Sequence, residues 1–458
     1  MNSGPPPSVP ASPPGASERA RRVVGKLLEP FDRFLRVQAA SAIILMVAAA
    51  VAFAWANSPW RDSYDALRDT RVALVFGGES YGGTLRFIVN DVLMTIFFFV
   101  VGLEIRREIH HGALSSLKRA ALPIVAALGG MIAPALLYLV FNHGAATRSG
   151  WAVPMATDIA FAVGVLTLLG KRVPSSIRVL LLALAVIDDL GGIVVIAIFY
   201  STGFHIHGLG IAVAALLSIV LLQRVGVRQA ALYVPSAIGV WVGLHEAGIH
   251  PTLAGVAVAL LTPAEPWFGR DGLIACGDEV IAELRAAPTS HEPEEDVVAA
   301  VDRLAYASRE AVSPLVYIQS LFAPWVAFVI MPLFAFANAG VSIRGGGAAA
   351  PHDAHVVSVG ILVGLVVGKP VGIALATWLA RLTRLAALPD DVDWRGVLLL
   401  GAVAGIGFTM AMFVAELAFA GSPLADRARL AILLASVIAS LLSLAIGAIL
   451  FRRRSSAA

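Results

Sequence analysis

Residues Ile177 to Tyr200 read IRVLLLALAVIDDLGGIVVIAIFY. As a helix rising 1.5 Å per residue, this run is long enough to cross a bilayer core of about 30 Å. Two carboxylates, Asp188 and Asp189, stand near its middle. Each costs about 2.5–3.5 kcal/mol at the centre of a bilayer, so packing does not explain them. Apolar residues flank the pair on both sides, which argues against a pair of helix-end caps. Intramembrane acids of this kind mark a site for a cation or a proton. Neighbouring residues on a helix project about 100° apart, so the two acids cannot face the same partner.

The rest of the chain has the same character. Of its 458 residues 58% are apolar and only 14% are charged, against about 25% charged in a soluble protein. Its mean hydropathy is +0.82. Twelve apolar windows recur, at roughly 38–56, 86–109, 121–141, 151–170, 176–200, 207–222, 230–245, 248–262, 314–341, 356–380, 395–420 and 427–451. The expectation is an all-α polytopic membrane protein. Of the 34 Lys and Arg residues, 25 fall in the N-terminal tail, the even-numbered loops and the C-terminal tail, and 8 in the odd-numbered loops. The positive-inside rule then places both termini in the cytoplasm. The net charge of +3 is mainly this topological bias, so no nucleic-acid partner is expected. The single cysteine, Cys276, excludes an internal disulfide and a cysteine-based metal site.

Domain organisation follows from composition. Residues 1–37, rich in Pro, Ser and Ala, read as a disordered cytoplasmic tail. Residues 38–451 form the transmembrane domain, and 452–458 a second cytoplasmic tail. Ala54-Trp55-Ala56 resembles a signal-peptidase site, but the polar region before it is too long, and the run reads as a span. Between spans 1 and 2, residues 57–85 read as an external hairpin, with Gly77-Gly78 and Gly82-Gly83 between β-prone pieces, rather than as a helix. Residues 263–313 are the longest loop, cytoplasmic, and Glu292, Glu294, Glu295 and Asp296 in it read as a solvated acidic run.

Two spans are interrupted. The fourth, Trp151–Thr167, reads WAVPMATDIAFAVGVLT, with Pro154, Thr157 and Asp158 inside a short apolar segment. Proline removes a backbone donor and disfavours helix in the residue before it. The eleventh, Gly401–Phe413, reads GAVAGIGFTMAMF, with three glycines about its centre. Short interrupted spans at corresponding places in two halves point to a transport site, so spans 3–5 and 10–12 are read as inverted repeats. Asp158 is placed to offset the positive ends of the half-helices. The alternative is that the glycines only let helices pack closely. The tenth span is uncharged apart from Lys369, in Gly368-Lys369-Pro370, although the chain holds four lysines against thirty arginines. A buried lysine can lose its proton where an arginine cannot, so Lys369 is read as an ion-pair partner or proton carrier. A purely structural pair with Asp188 is the alternative.

These residues resemble a known family. Residues 156–162 (ATDIAFA), 187–191 (IDDLG), 333–341 (LFAFANAGV), 368–370 (GKP) and 405–410 (GIGFTM) look like the motifs of NhaA-type Na+/H+ antiporters, as do 101–104 (VGLE) and 248–255 (GIHPTLAG). The match runs in the family's order from about residue 35 to 450. The resemblance implies a Na+ site built on Asp189, with Asp188 close by and Thr157-Asp158 assisting. It implies a Lys369–Asp188 pair that breaks during transport, and Asp91 and Glu104 on the cytoplasmic approach. It also implies an inner-membrane homodimer, joined partly by the hairpin and regulated by pH, with no cofactor beyond the transported Na+ and H+. His250 begins a span and reads as structural or gating.

Physically, Na+ prefers hard oxygen ligands and competes with protons for the same carboxylates. Two acids, or one acid and Lys369, can release more than one proton per Na+, making the exchange electrogenic. Li+ is an expected second substrate. Two departures from the family stand out. Its usual Glu and His residues at the start of span 9 are absent from Tyr317–Trp325, so pH response is expected to rest on Glu104, Glu108 or the longer acidic loop. Glu416 replaces a small polar residue, and reads as an interfacial acid near the external end or as a site on the exit path. The protein is not read as an enzyme, since an intramembrane aspartyl protease needs its acids on separate helices. A channel would favour acid or carbonyl rings and no central lysine. A Na+-coupled symporter of similar repeat design is the alternative, and would need a polar solute pocket.

Overall fold

The computed structural model describes residues 38–76, 79–170, 173–201, 203, 205–227, 229–286, 294–343 and 351–451. The two tails, Gly77-Gly78 and Glu292 lie outside these residues. The described chain is 81% helical, in seventeen helices. Helix α1 is Gln38–Ala56, and a sharp turn of 118° leads into α2, Arg61–Asp69. Strands β1 (Arg71–Phe76) and β2 (Glu79–Thr84) pair antiparallel, from Arg71 opposite Thr84 to Phe76 opposite Glu79. The expected hairpin therefore exists, but a helix precedes it, because the polar run from Arg61 to Asp69 has no β-branched residue and buries Tyr64 on one side. Helices α3 (Leu85–His111) and α4 (Leu117–Phe141) follow. The broken pair α5 (Ala145–Met155) and α6 (Ile159–Leu168) bends by 47°. Then come α7 (Ser175–Phe199), α8 (Ile206–Arg224), α9 (Val234–Glu246) and α10 (Leu253–Leu261).

Residues Gly269–Ala286 and Glu294–Glu310 form helices α11 and α12. The long loop expected at 263–313 is thus a helical hairpin, tied by Arg303 to Glu283 at 2.7 Å and Glu279 at 3.5 Å. Its hydropathy is low because its helices are short on apolar residues, not because it is irregular. The last elements are α13 (Pro314–Ala339), α14 (Pro351–Leu382), the broken pair α15 (Trp394–Ala404) and α16 (Phe408–Ala418), bent by 48°, and α17 (Leu424–Leu450). Each of the twelve apolar windows holds a helix or a broken pair. Among the described residues, seven helices are long and apolar enough to cross a membrane alone. Helices α9 and α10 are shorter, at 13 and 9 residues.

The two repeat halves, α4–α7 and α14–α17, share one apolar core. Helices α4 and α14 touch backbone to backbone: a Cβ on Gly372 would sit 2.1 Å from the Gly129 carbonyl oxygen. Apolar surface gains little between helices in lipid, so small residues that allow this approach hold such helices together. Wide π-type turns at Val326–Ile330 and Gly364–Gly368 each end just before a proline, Pro332 and Pro370. The missing proline N–H leaves a carbonyl one turn back without its donor, and the helix rearranges around it.

Candidate ion site

The sequence sets the crossing locally. Pro154 and the Ala156-Thr157-Asp158 stretch end α5, and the Gly405-Ile406-Gly407 stretch ends α15. The two breaks lie side by side: the Asp158 amide donates to the Ile406 carbonyl at 2.8 Å. Asp158 is 1% exposed and serves both half-helices that start here. Its Oδ1 accepts from the Phe161 amide at 2.9 Å in the first turn of α6. Its Oδ2 accepts from the Thr409 amide at 3.1 Å in the first turn of α16, and from the Thr409 hydroxyl. One carboxylate thus faces two positive dipole ends. Ser436 of α17 accepts from the Phe408 amide at 3.0 Å. The carbonyl ends are served separately, with the Thr157 hydroxyl donating to Ala404 O at 2.9 Å.

Lys369 is fully buried, and its Nζ donates to Asp188 Oδ2 at 2.5 Å and to Thr157 Oγ1. The lysine therefore ties α14 to α7 and to the first break. Glycines seat α15 beside it: a Cβ on Gly401 would stand 2.7 Å from Pro370 Cα, and one on Gly405 2.5 Å from Leu365 O. Asp189, one residue on from Asp188, is also 4% exposed. Asp188 Oδ1 and Asp189 Oδ2 are buried and make no hydrogen bond among the described residues. A buried anionic oxygen without a donor is costly, so a cation or proton is what such oxygens accept.

The peripheral candidates separate into two groups. Asp91 lies near the hairpin end of α3, where His250 Nε2 stands 3.8 Å from its Oδ1 and His250 Nδ1 lies 2.7 Å from Thr252 Oγ1. Glu104 lies thirteen residues further along the same helix, about 20 Å away at 1.5 Å per residue. The helix is continuous between them. Glu108 is nearer still to the far end of α3, with its carboxylate over Gly112.

Several partners gave no sequence signal. Glu416, at the hairpin-side end of α16, is bound by both Arg86 and Arg429. Asn90 and Asn338 are buried together, with Asn338 Nδ2 donating to Asn90 Oδ1 at 2.8 Å. Thr409 could have been found, being the polar residue in the first turn after a glycine break; Ser436 is visible only in three dimensions.

Broken helices crossing at buried carboxylates and a buried lysine, within an all-helical multi-pass frame, define a membrane ion carrier of the inverted-repeat class. The chain belongs to the Na+/H+ antiporter 1 family, whose model matches residues 32–446, a family among those from which the inverted-repeat rule was drawn. It is 50% identical to the Na(+)/H(+) antiporter NhaA 2 of Sorangium cellulosum, over 96% of this chain and 94% of that protein. It is 48% identical to the proteins of that name in Myxococcus xanthus, covering 98% and 95%, and Pseudomonas putida KT2440, covering 96% and 97%.

Proposed function

We propose that this protein exchanges Na+ for protons across a bacterial inner membrane, with both termini in the cytoplasm, and carries Li+ as well. The observation that carries the reading is the buried Asp188–Lys369 pair beside Asp189, whose Oδ2 has no donor among the described residues. Na+ is bound at Asp189, with Asp188 close by, and Thr157 and Asp158 hold the crossing in shape. Because Asp188 cannot serve Lys369 and Na+ equally, Na+ entry weakens the ion pair and favours proton release. A proton and Na+ thus exclude one another at the same oxygens, and only the neutralised site passes between the two faces. Release of protons from more than one group per Na+ makes the exchange electrogenic. The unit is a homodimer joined partly by the β1–β2 hairpin.

Na+-induced proton movement in everted vesicles of an antiporter-deficient host tests this, between pH 6.5 and 9. The wild type is expected to show a Na+- and Li+-dependent signal that Asp189→Asn abolishes at equal expression. A well-expressed wild type with no such signal at any pH refutes exchange. Full activity in Asp189→Asn moves the site elsewhere.

A further inference from the structure

The cluster at Glu416 lies outside the ion site and joins three helices. Arg86 comes from the first turn of α3, Glu416 from the last turn of α16, and Arg429 from the first turns of α17. Glu416 Oε1 accepts from Arg86 and Oε2 from Arg429, and Arg429 also reaches Asp426 at 2.9 Å. Arg429 is 2% exposed. Directly beneath Glu416 along α16, Phe413 packs against Phe98 of α3 at 5.2 Å, Phe334 of α13 at 6.2 Å and His250 at 5.5 Å between ring centroids. Met412, one turn below Glu416, is fully buried. Two turns below Glu416 is Thr409, bonded to Asp158 at the crossing. A single short helix therefore has one end in the ion site and the other under a double salt bridge.

We propose that the Arg86–Glu416–Arg429 bridge is a latch that holds the hairpin-side passage to the ion site shut, and that Glu416 is a positioning residue for the access step. Given the antiport reading, the passage on this side opens only if α16 parts from α3 or α17. Either separation breaks a charge pair: the one to Arg429 has a buried guanidinium and is strengthened by its surroundings, and the one to Arg86 is partly exposed. The aromatic cluster around Phe413 seals the space below, but it is apolar and slides, whereas the ion pairs have two discrete arrangements, made and broken. The latch thus sets how often the site is open on this side, without touching the ion itself.

The test is labelling of Met412→Cys by a membrane-impermeant maleimide in a Cys276→Ser chain, in intact cells and everted vesicles in parallel. With the latch present, labelling from either side is expected to be slow. Adding Glu416→Gln is expected to raise the rate from the hairpin side at least about fivefold, the lower end of ordinary conformational coupling. Arg86→Gln, which strands no fully buried charge, is expected to raise it by a smaller factor and serves if Glu416→Gln does not fold. Unchanged labelling in the folded variants overturns the latch and makes the cluster a static anchor. The rate is read without transport, so labelling as expected beside a wild type that exchanges no Na+ refutes the antiport reading and leaves the latch standing.

Discussion

Lys369 is fully buried with one acidic partner, Asp188, at 2.5 Å. Removing one member of such a pair leaves a charge in a low-dielectric interior and costs about 3–5 kcal/mol, whereas replacing both with apolar residues is often neutral or stabilising. Asp188→Leu alone and Lys369→Met alone are therefore both expected to melt well below the wild type in detergent. The double variant is expected to regain most of the loss, and all three to lose exchange. A double variant no more stable than the singles would show that the pair does not close the structure in this way. The acids and the lysine were legible in the sequence because charge inside an apolar run is too costly to stand there without a task. The bond from Lys369 to Thr157 was not, since a hydroxyl 212 positions away has no signature in the chain.

At the scale of elements, Asp158 and Thr157 cap three of the four half-helix ends meeting at the crossing, and Ser436 adds an acceptor for the Phe408 amide. Asp158 takes the N-terminal ends of α6 and α16, and Thr157 takes the carbonyl end of α15. One cap is worth about 1 kcal/mol in a soluble helix, and in the dry core an uncapped N–H has no water to turn to. Asp158→Ala is expected to cost at least about 2 kcal/mol, two caps' worth, measured as the drop in melting temperature relative to the wild type. Asp158→Asn, which keeps acceptor oxygen but not charge, is expected to fall between. Equal melting of Asp158→Ala and the wild type would show that the dipole ends are satisfied elsewhere. Both breaks could be read from Pro154 and from the cluster Gly401, Gly405 and Gly407, because proline and glycine act locally. The partnership between the breaks spans 251 positions from Asp158 to Thr409, and could only be inferred from their matched places in two halves. Helix α2 and the pair α11–α12 were missed for the opposite reason: hydropathy windows register apolar spans, and polar helices lie below their threshold whatever their length.

For the whole molecule, the ion site is confined to the two repeat halves, and the α11–α12 hairpin stands apart from it. The amides of Trp267 and Phe268 both donate to the Glu310 carbonyl at 3.2 Å, so the chain enters and leaves this hairpin at one point. Its two helices are held to one another by Arg303, Glu279 and Glu283. Excising residues 269–309 and joining the ends through a short Gly-Ser link therefore leaves the backbone path at Trp267–Glu310 nearly unchanged, and loop length itself adds little entropic cost either way. The excised protein is expected to insert, to melt close to the wild type and to retain Na+-dependent proton movement in everted vesicles. Its pH profile separates two sources of pH response. An unshifted profile places the response in the membrane domain, where Glu104 and Glu108 remain on α3. A shifted profile with exchange intact places it in the hairpin, whose charged residues would then act on the site through the field or through docking. Loss of exchange in a folded, inserted protein would overturn the separation of hairpin and site argued from these contacts.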